Sequence, residues 1–130
     1  MNTSTPHRPV RVLVADDNAD SADTLATLVQ LCGADVRTCY NGLTALAAAE
    51  EFRPDVCLLD LNMPGLNGDQ LAVRIREVIP DCRILFVAVT AMSTEEARTR
   101  TERAGFHHHL VKPVAPDRIF SVVSAAGMAG

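Results

Sequence analysis

Five side chains in this sequence could move a phosphoryl group if the fold brought them together: Asp16, Asp17, Asp60, Thr90 and Lys112. Asp60 closes the apolar run Val56-Cys57-Leu58-Leu59, and a turn containing Pro64 and Gly65 follows it. Asp16-Asp17 closes a second apolar run, while Thr90 and Lys112 close two more. Three neighbouring carboxylates are costly. Two like charges about 4 Å apart repel by roughly 4 kcal/mol at an effective dielectric of about 20. A divalent cation removes that cost, and Mg²⁺ (or Mn²⁺) favours a few carboxylates, several waters and a substrate phosphate. Once the charge is neutralised, Asp60 can attack phosphorus as a nucleophile. Thr90 and Lys112 can then hydrogen-bond the transferred oxygens.

That chemistry needs elements that end at one rim. Val10 to Ala15, Val56 to Leu59 and Ile84 to Val89 are nearly continuous apolar runs, as in strands buried on both faces of a parallel sheet. Val36 to Tyr40 is mixed and suits an edge strand, and His108 to Val111 is a short fifth candidate. Helical faces fill the gaps. The first holds Ala22, Leu25, Leu28, Val29 and Cys32, with Gly33 as its stop. The second holds Ala45, Leu46 and Ala49, and the third Leu71, Ile75, Val78 and Ile79. Ser93 and Glu96 predict a capping box for a fourth helix, Thr94 to Ala104, whose few apolar residues predict weak anchoring. Pro116 opens a fifth, with Ile119, Phe120 and Val123 on its face. Strands alternating with helices predict an α/β fold with a parallel sheet, whose functional crevice lies beyond the carboxyl ends of the strands. One domain is expected over residues 10–126, flanked by tails at 1–9 and 127–130.

Composition narrows the function classes. The formal charge of −4 and the scattered basic residues argue against phosphate-backbone binding, so no nucleic-acid partner is expected. Cys32, Cys39, Cys57 and Cys82 show no CxxC spacing, so neither zinc nor a disulfide framework is expected. No run approaches a membrane span and the first nine residues hold no apolar stretch, which predicts a cytoplasmic protein without a membrane partner.

The segments VLVADDN, DVCLLDLNMPGLNG, VAVTAM and GFHHHLVKPV together resemble the receiver domain of two-component response regulators, in order and at family spacing. The resemblance runs from about Val10 to Val123. It implies a flavodoxin-like, doubly wound five-stranded sheet with five helices, and the strand order 2-1-3-4-5 is carried over from the family. It further implies that Asp60 is the phospho-acceptor, served by a histidine kinase or a histidine phosphotransfer protein. Asp17 then matches the direct Mg²⁺ ligand, Asp16 the acid acting through metal-bound water, and the Asn62 backbone carbonyl a further ligand. Thr90 matches the switch hydroxyl and Lys112 the phosphate-contacting lysine. His109, three residues before Lys112, stands where the family usually has the switch Tyr or Phe. A signalling domain is implied rather than an enzyme with a separate substrate.

Other readings compete. A Mg²⁺-dependent aspartyl-phosphate phosphatase of the haloacid-dehalogenase type needs an aspartate two residues after the nucleophile, where this chain has Asn62. An FMN carrier needs a Ser/Thr/Gly-rich phosphate loop where Asp16-Asp17-Asn18 stands. His107-His108-His109 cannot easily share one ion, because adjacent strand residues face opposite sides. Eighteen residues follow Lys112 in the 130-residue chain, so output is expected through a protein partner or onward relay of phosphate.

Overall fold

The computed structural model describes residues 8–129. In chain order the elements are β1 (Arg11–Ala15), α1 (Ala19–Leu31), β2 (Asp35–Cys39), α2 (Gly42–Phe52), β3 (Val56–Leu59) and α3 (Gly68–Val78). They continue with β4 (Leu85–Thr90), α4 (Glu95–Arg103), β5 (His108–Val111) and α5 (Pro116–Ala129). The expected N-terminal tail lies outside the described residues up to position 7, and Gly130 does too. At the other end α5 continues past residue 126.

Every strand pairing is parallel, and the sheet order is β2-β1-β3-β4-β5. The reason lies in alternation. Leu13, Ala15, Cys57, Leu59 and Phe86 face one side and pack with Ala45, Leu71 and Ile75 of α2 and α3. Val12, Val14, Leu58, Val87 and Leu110 face the other and pack with Leu25, Val29, Ile119 and Val122 of α1 and α5. Burying both faces explains why the central strands are apolar without interruption. Arg53 closes α2 in the left-handed region at φ 53°, its N–H bonded to Ala49 O at 2.9 Å.

Three details depart from the sequence reading. Thr94, not Ser93, caps α4, because its Oγ1 reaches the Ala97 N–H at 3.1 Å. Val78 and Phe120 are exposed. The buried stripe of α3 runs Leu71, Ala72 and Ile75 and ends on Ile79, while that of α5 runs Ile119, Val122 and Val123. Each exposed residue lies about 100° around the helix from a buried neighbour.

The fourth helix buries only Ala97 and Thr101, and Ala97 rests on Leu61 and Ala88. Its remaining ties are polar. Arg100 reaches Asp69 of α3 through two hydrogen bonds of 3.0 and 3.1 Å. Arg76 of α3 donates to Ala104 O at 2.6 Å. Weak apolar anchoring is therefore right, but α4 is fastened by ion pairing that periodicity did not reveal.

Candidate functional site

Register builds the rim. Ala15 pairs with Leu59 on neighbouring strands, so the next residues, Asp16 and Asp60, emerge side by side. The sheet's hydrogen bonds run one residue beyond the strands and fix these backbones. Asp60 N–H donates to Ala15 O at 3.0 Å, Asp16 N–H to Cys39 O at 3.1 Å, and Lys112 N–H to Thr90 O at 2.9 Å. The Lys112–Pro113 peptide is cis.

One ammonium joins two of the carboxylates. Lys112 Nζ lies 2.6 Å from Asp16 Oδ2 and 3.2 Å from Asp60 Oδ2. Asp16 is 1% exposed, and its other oxygen accepts the Asn18 N–H at 2.9 Å. Asp60 Oδ1 takes a longer bond, 3.3 Å, from the Asn62 N–H. Asp17 is exposed. Carboxylate oxygens of Asp16, Asp17 and Asp60 all lie within 4.8 Å of one another, a donor set of three hard oxygens that suits a divalent cation.

Charge balance follows from these contacts. Burial is the largest influence on Asp16 and pushes its carboxyl above the ordinary range, aided by the Asp60 charge and opposed by Lys112 and the Asn18 N–H. Burial also opposes the charge on Lys112. The Asp16 hydrogen bond and the two carboxylate charges outweigh it, so the ammonium is held above its usual value. Lys112 thus stays a cation at neutral pH.

Thr90 is buried, and its Oγ1 accepts the Met92 N–H at 3.2 Å. That bond leaves the hydroxyl proton to donate. His109 Nε2 lies 2.9 Å from Met92 O, and because a carbonyl only accepts, Nε2 carries the proton. The other ring nitrogen lies 3.3 Å from Thr101 Oγ1 of α4, a hydroxyl whose shorter bond, 2.8 Å, is donated to Arg98 O. Asn62 Nδ2 lies 2.9 Å from Met92 Sδ. Met92 therefore joins Thr90, His109 and Asn62, one contact through each of N–H, C=O and sulfur. The three histidines go separate ways: His108 is exposed, and His107 Nδ1 accepts the Phe86 N–H at 3.0 Å.

Sequence reasoning brought Asp16, Asp17, Asp60, Thr90, Lys112 and His109 to this end of the sheet and missed three supporting residues. Arg100 also donates to Leu61 O at 3.3 Å, tying α4 to the loop after Asp60. Met92 had no signal beyond its place after Thr90. Gly68 opens α3 so close to the end of β3 that an added Cβ would sit 2.0 Å from Asp60 O. The Asn67-Gly68 pair just before a helical pattern was the available clue.

Comparison with known proteins agrees with this geometry. Residues 12–124 match the family model described as the response regulator receiver domain. Protein PilH of Pseudomonas aeruginosa is 30% identical over 115 residues, covering 88% of this chain and 95% of PilH. The transcriptional regulatory protein PrrA of Mycobacterium tuberculosis is 35% identical over 115 residues, which are 88% of this chain and 48% of PrrA. The chain thus spans about half the length of that relative. Among solved structures, Vibrio cholerae chemotaxis protein CheY4 superposes with TM-score 0.82 at 25% identity, over 92% of this chain and 99% of that one. A CheY-like receiver domain protein from Methanospirillum hungatei gives TM-score 0.81 at 21% identity, over 95% and 100%.

Proposed function

Because the chain belongs to the response regulator receiver family, we propose that it is a cytoplasmic phospho-acceptor that receives a phosphoryl group on Asp60. The donor is the phosphohistidine of a histidine kinase or a histidine phosphotransfer protein. The observation that carries this reading is Lys112 Nζ lying within hydrogen-bond reach of both Asp16 and Asp60, inside a group of three carboxylates.

Asp17, Asp16, Asp60 and the Asn62 carbonyl would hold Mg²⁺ or Mn²⁺. The ion supplies neutralising charge for the carboxylates and the incoming phosphoryl oxygens. An Asp60 oxygen forms the bond to phosphorus, the phosphorus–nitrogen bond breaks, and the donor imidazole keeps the electron pair. Asp60 then no longer offers a full carboxylate charge to Lys112. The ammonium transfers that hydrogen bond to a phosphoryl oxygen while keeping Asp16. The Thr90 hydroxyl proton, which its bond from Met92 does not use, is donated to another phosphoryl oxygen.

Thr90 cannot turn toward the phosphoryl group without loosening its bond from the Met92 N–H, and Met92 O holds the His109 ring. The rearrangement therefore passes from Asp60 to His109 and to Thr101 on α4. Two charge-assisted hydrogen bonds supply about 3–6 kcal/mol. Inverting a 1:99 population takes about 5.5 kcal/mol. The lever is adequate, and the surface of α4, β5 and α5 becomes the output, either for a protein partner or during onward relay.

Acetyl phosphate with Mg²⁺ should raise the intact mass by one phosphoryl group. EDTA and Asp60→Asn should each prevent the gain. Labelling that persists in the Asn variant would overturn the assignment.

A further inference from the structure

Four of the arginines scattered along the sequence gather at the opposite end of the sheet. Arg8, Arg11, Arg53 and Arg83 line one cavity of about 590 Å³ at the amino-terminal ends of the strands. That volume lies in the usual range for small-molecule sites, about 300–1,000 Å³. Two of the four cations have acidic partners. Arg8 forms a two-pronged pair with Asp55 at 2.8 and 3.0 Å, and Arg53 pairs with Asp81. The guanidinium groups of Arg11 and Arg83 have no carboxylate partner among the described residues: that of Arg11 makes only a 3.4 Å contact with Phe52 O, while its backbone N–H donates to Asp55 Oδ2 at 2.8 Å. Two guanidinium charges are left for a ligand.

His107 adds a neutral donor. Its Nδ1 accepts the Phe86 N–H, so in the neutral ring the proton sits on Nε2, which has no hydrogen-bond partner among the described residues. His107 also lines the cavity, and Pro54, Ile84, Leu85 and Ala126 add apolar walls. The combination specifies a small molecule with an anionic end and an apolar body. A carboxylate would neutralise one guanidinium. A phosphomonoester, close to doubly charged at pH 7, matches both and offers its oxygens to the planar guanidinium forks.

We propose that this cavity binds a small organic phosphomonoester of nucleoside monophosphate size. The phosphate faces Arg11 and Arg83, His107 Nε2–H donates to it or to the sugar, and the flat base lies against Ile84, Leu85 and Ala126. The site is at the far end of the strands from Asp60, so it is separate from the phosphorylation chemistry and does not depend on that reading.

Nuclear magnetic resonance titration of the full chain with adenosine and guanosine monophosphates tests this, in EDTA and on the Asp60→Asn variant, so that the acidic rim contributes nothing. At least one nucleotide should shift the amides of Ile84, Leu85, His107 and Ala126 saturably. Inorganic phosphate and the free nucleosides should each bind more weakly than that nucleotide. Arg83→Ala removes an exposed side chain and should weaken binding about tenfold, with Arg11→Ala as the second variant. Affinity unchanged in both variants would overturn the proposal. So would shifts centred on Asp16, Asp17 and Lys112, equal binding of inorganic phosphate, or no saturable shift with either nucleotide.

Discussion

Two helices packed on this sheet, α1 and α4, are held in opposite ways. Along α1, Ala22, Leu25, Ala26 and Val29 are buried, and Ala22, Leu25 and Val29 pack against β1, β3 and α5. Along α4 only Ala97 and Thr101 are buried, and Arg100–Asp69, Arg76–Ala104 O and Thr101–His109 carry the rest. Apolar packing is non-directional and tolerates small shifts only by opening voids. Directional polar ties come apart one by one and can re-form with new partners. The element tied to His109, and through Met92 to Thr90, is therefore the one held by replaceable contacts. That pairing of site and anchorage is what a switch requires.

Core truncation should separate the two regimes most strongly. Ile119→Ala removes a fully buried side chain between α5 and the sheet and should cost about 2–5 kcal/mol by denaturant unfolding. Gly68→Ala tests the rim from beneath, since its Cβ would press on Asp60 O. It should cost about 1–3 kcal/mol and slow acetyl phosphate labelling, because Asp60 must move to relieve the clash. Labelling at the wild-type rate would show that α3 yields instead.

Arg100→Met, which keeps the aliphatic stem, should cost about 1–3 kcal/mol or less globally. Its signature is local. Hydrogen exchange should quicken in α4, residues 95–103, and stay unchanged in α1. Equal quickening in both helices would erase the distinction drawn between them.

Acid gives the smallest effect. Burial alone would push the Asp69 carboxyl up, but the Arg100 hydrogen bonds and charge outweigh it and hold the group below its usual value. A carboxylate depressed on folding contributes stability above its unfolded value, about 3.9. That contribution is lost as pH falls through the lower folded value. The stability difference between wild type and Arg100→Met should therefore shrink below about pH 4. A difference that stays constant through that range would mean that Asp69 contributes nothing.

Why the acidic rim was legible and its supports were not follows from the kind of signal each leaves. Asp16, Asp60, Thr90 and Lys112 stand at the ends of apolar runs, and a parallel sheet brings all such ends to one edge. Local pattern plus topology was enough. The Arg100–Asp69 pair joins residues 31 positions apart, and nothing in either segment announces the other. Met92 reaches Thr90 and His109 through its backbone, which carries no residue-specific mark. The four arginines of the far cavity come from the chain before β1, β1, the α2–β3 turn and the β3–β4 connection, so only the folded chain collects them. Helix faces were correct except at Val78 and Phe120, where an apolar residue adjoins the buried stripe without belonging to it.

The central claim is that chemistry at Asp60 is read out by α4 and not by α1. Hydrogen exchange with Mg²⁺, with and without beryllofluoride as a phosphoryl mimic, on wild type and Asp60→Asn, tests it most directly. In wild type the change should concentrate in residues 90–112, with α1 beyond its first turn unaffected, and Asp60→Asn should show none. An unchanged 90–112 segment, or an equal change along α1, would contradict the account.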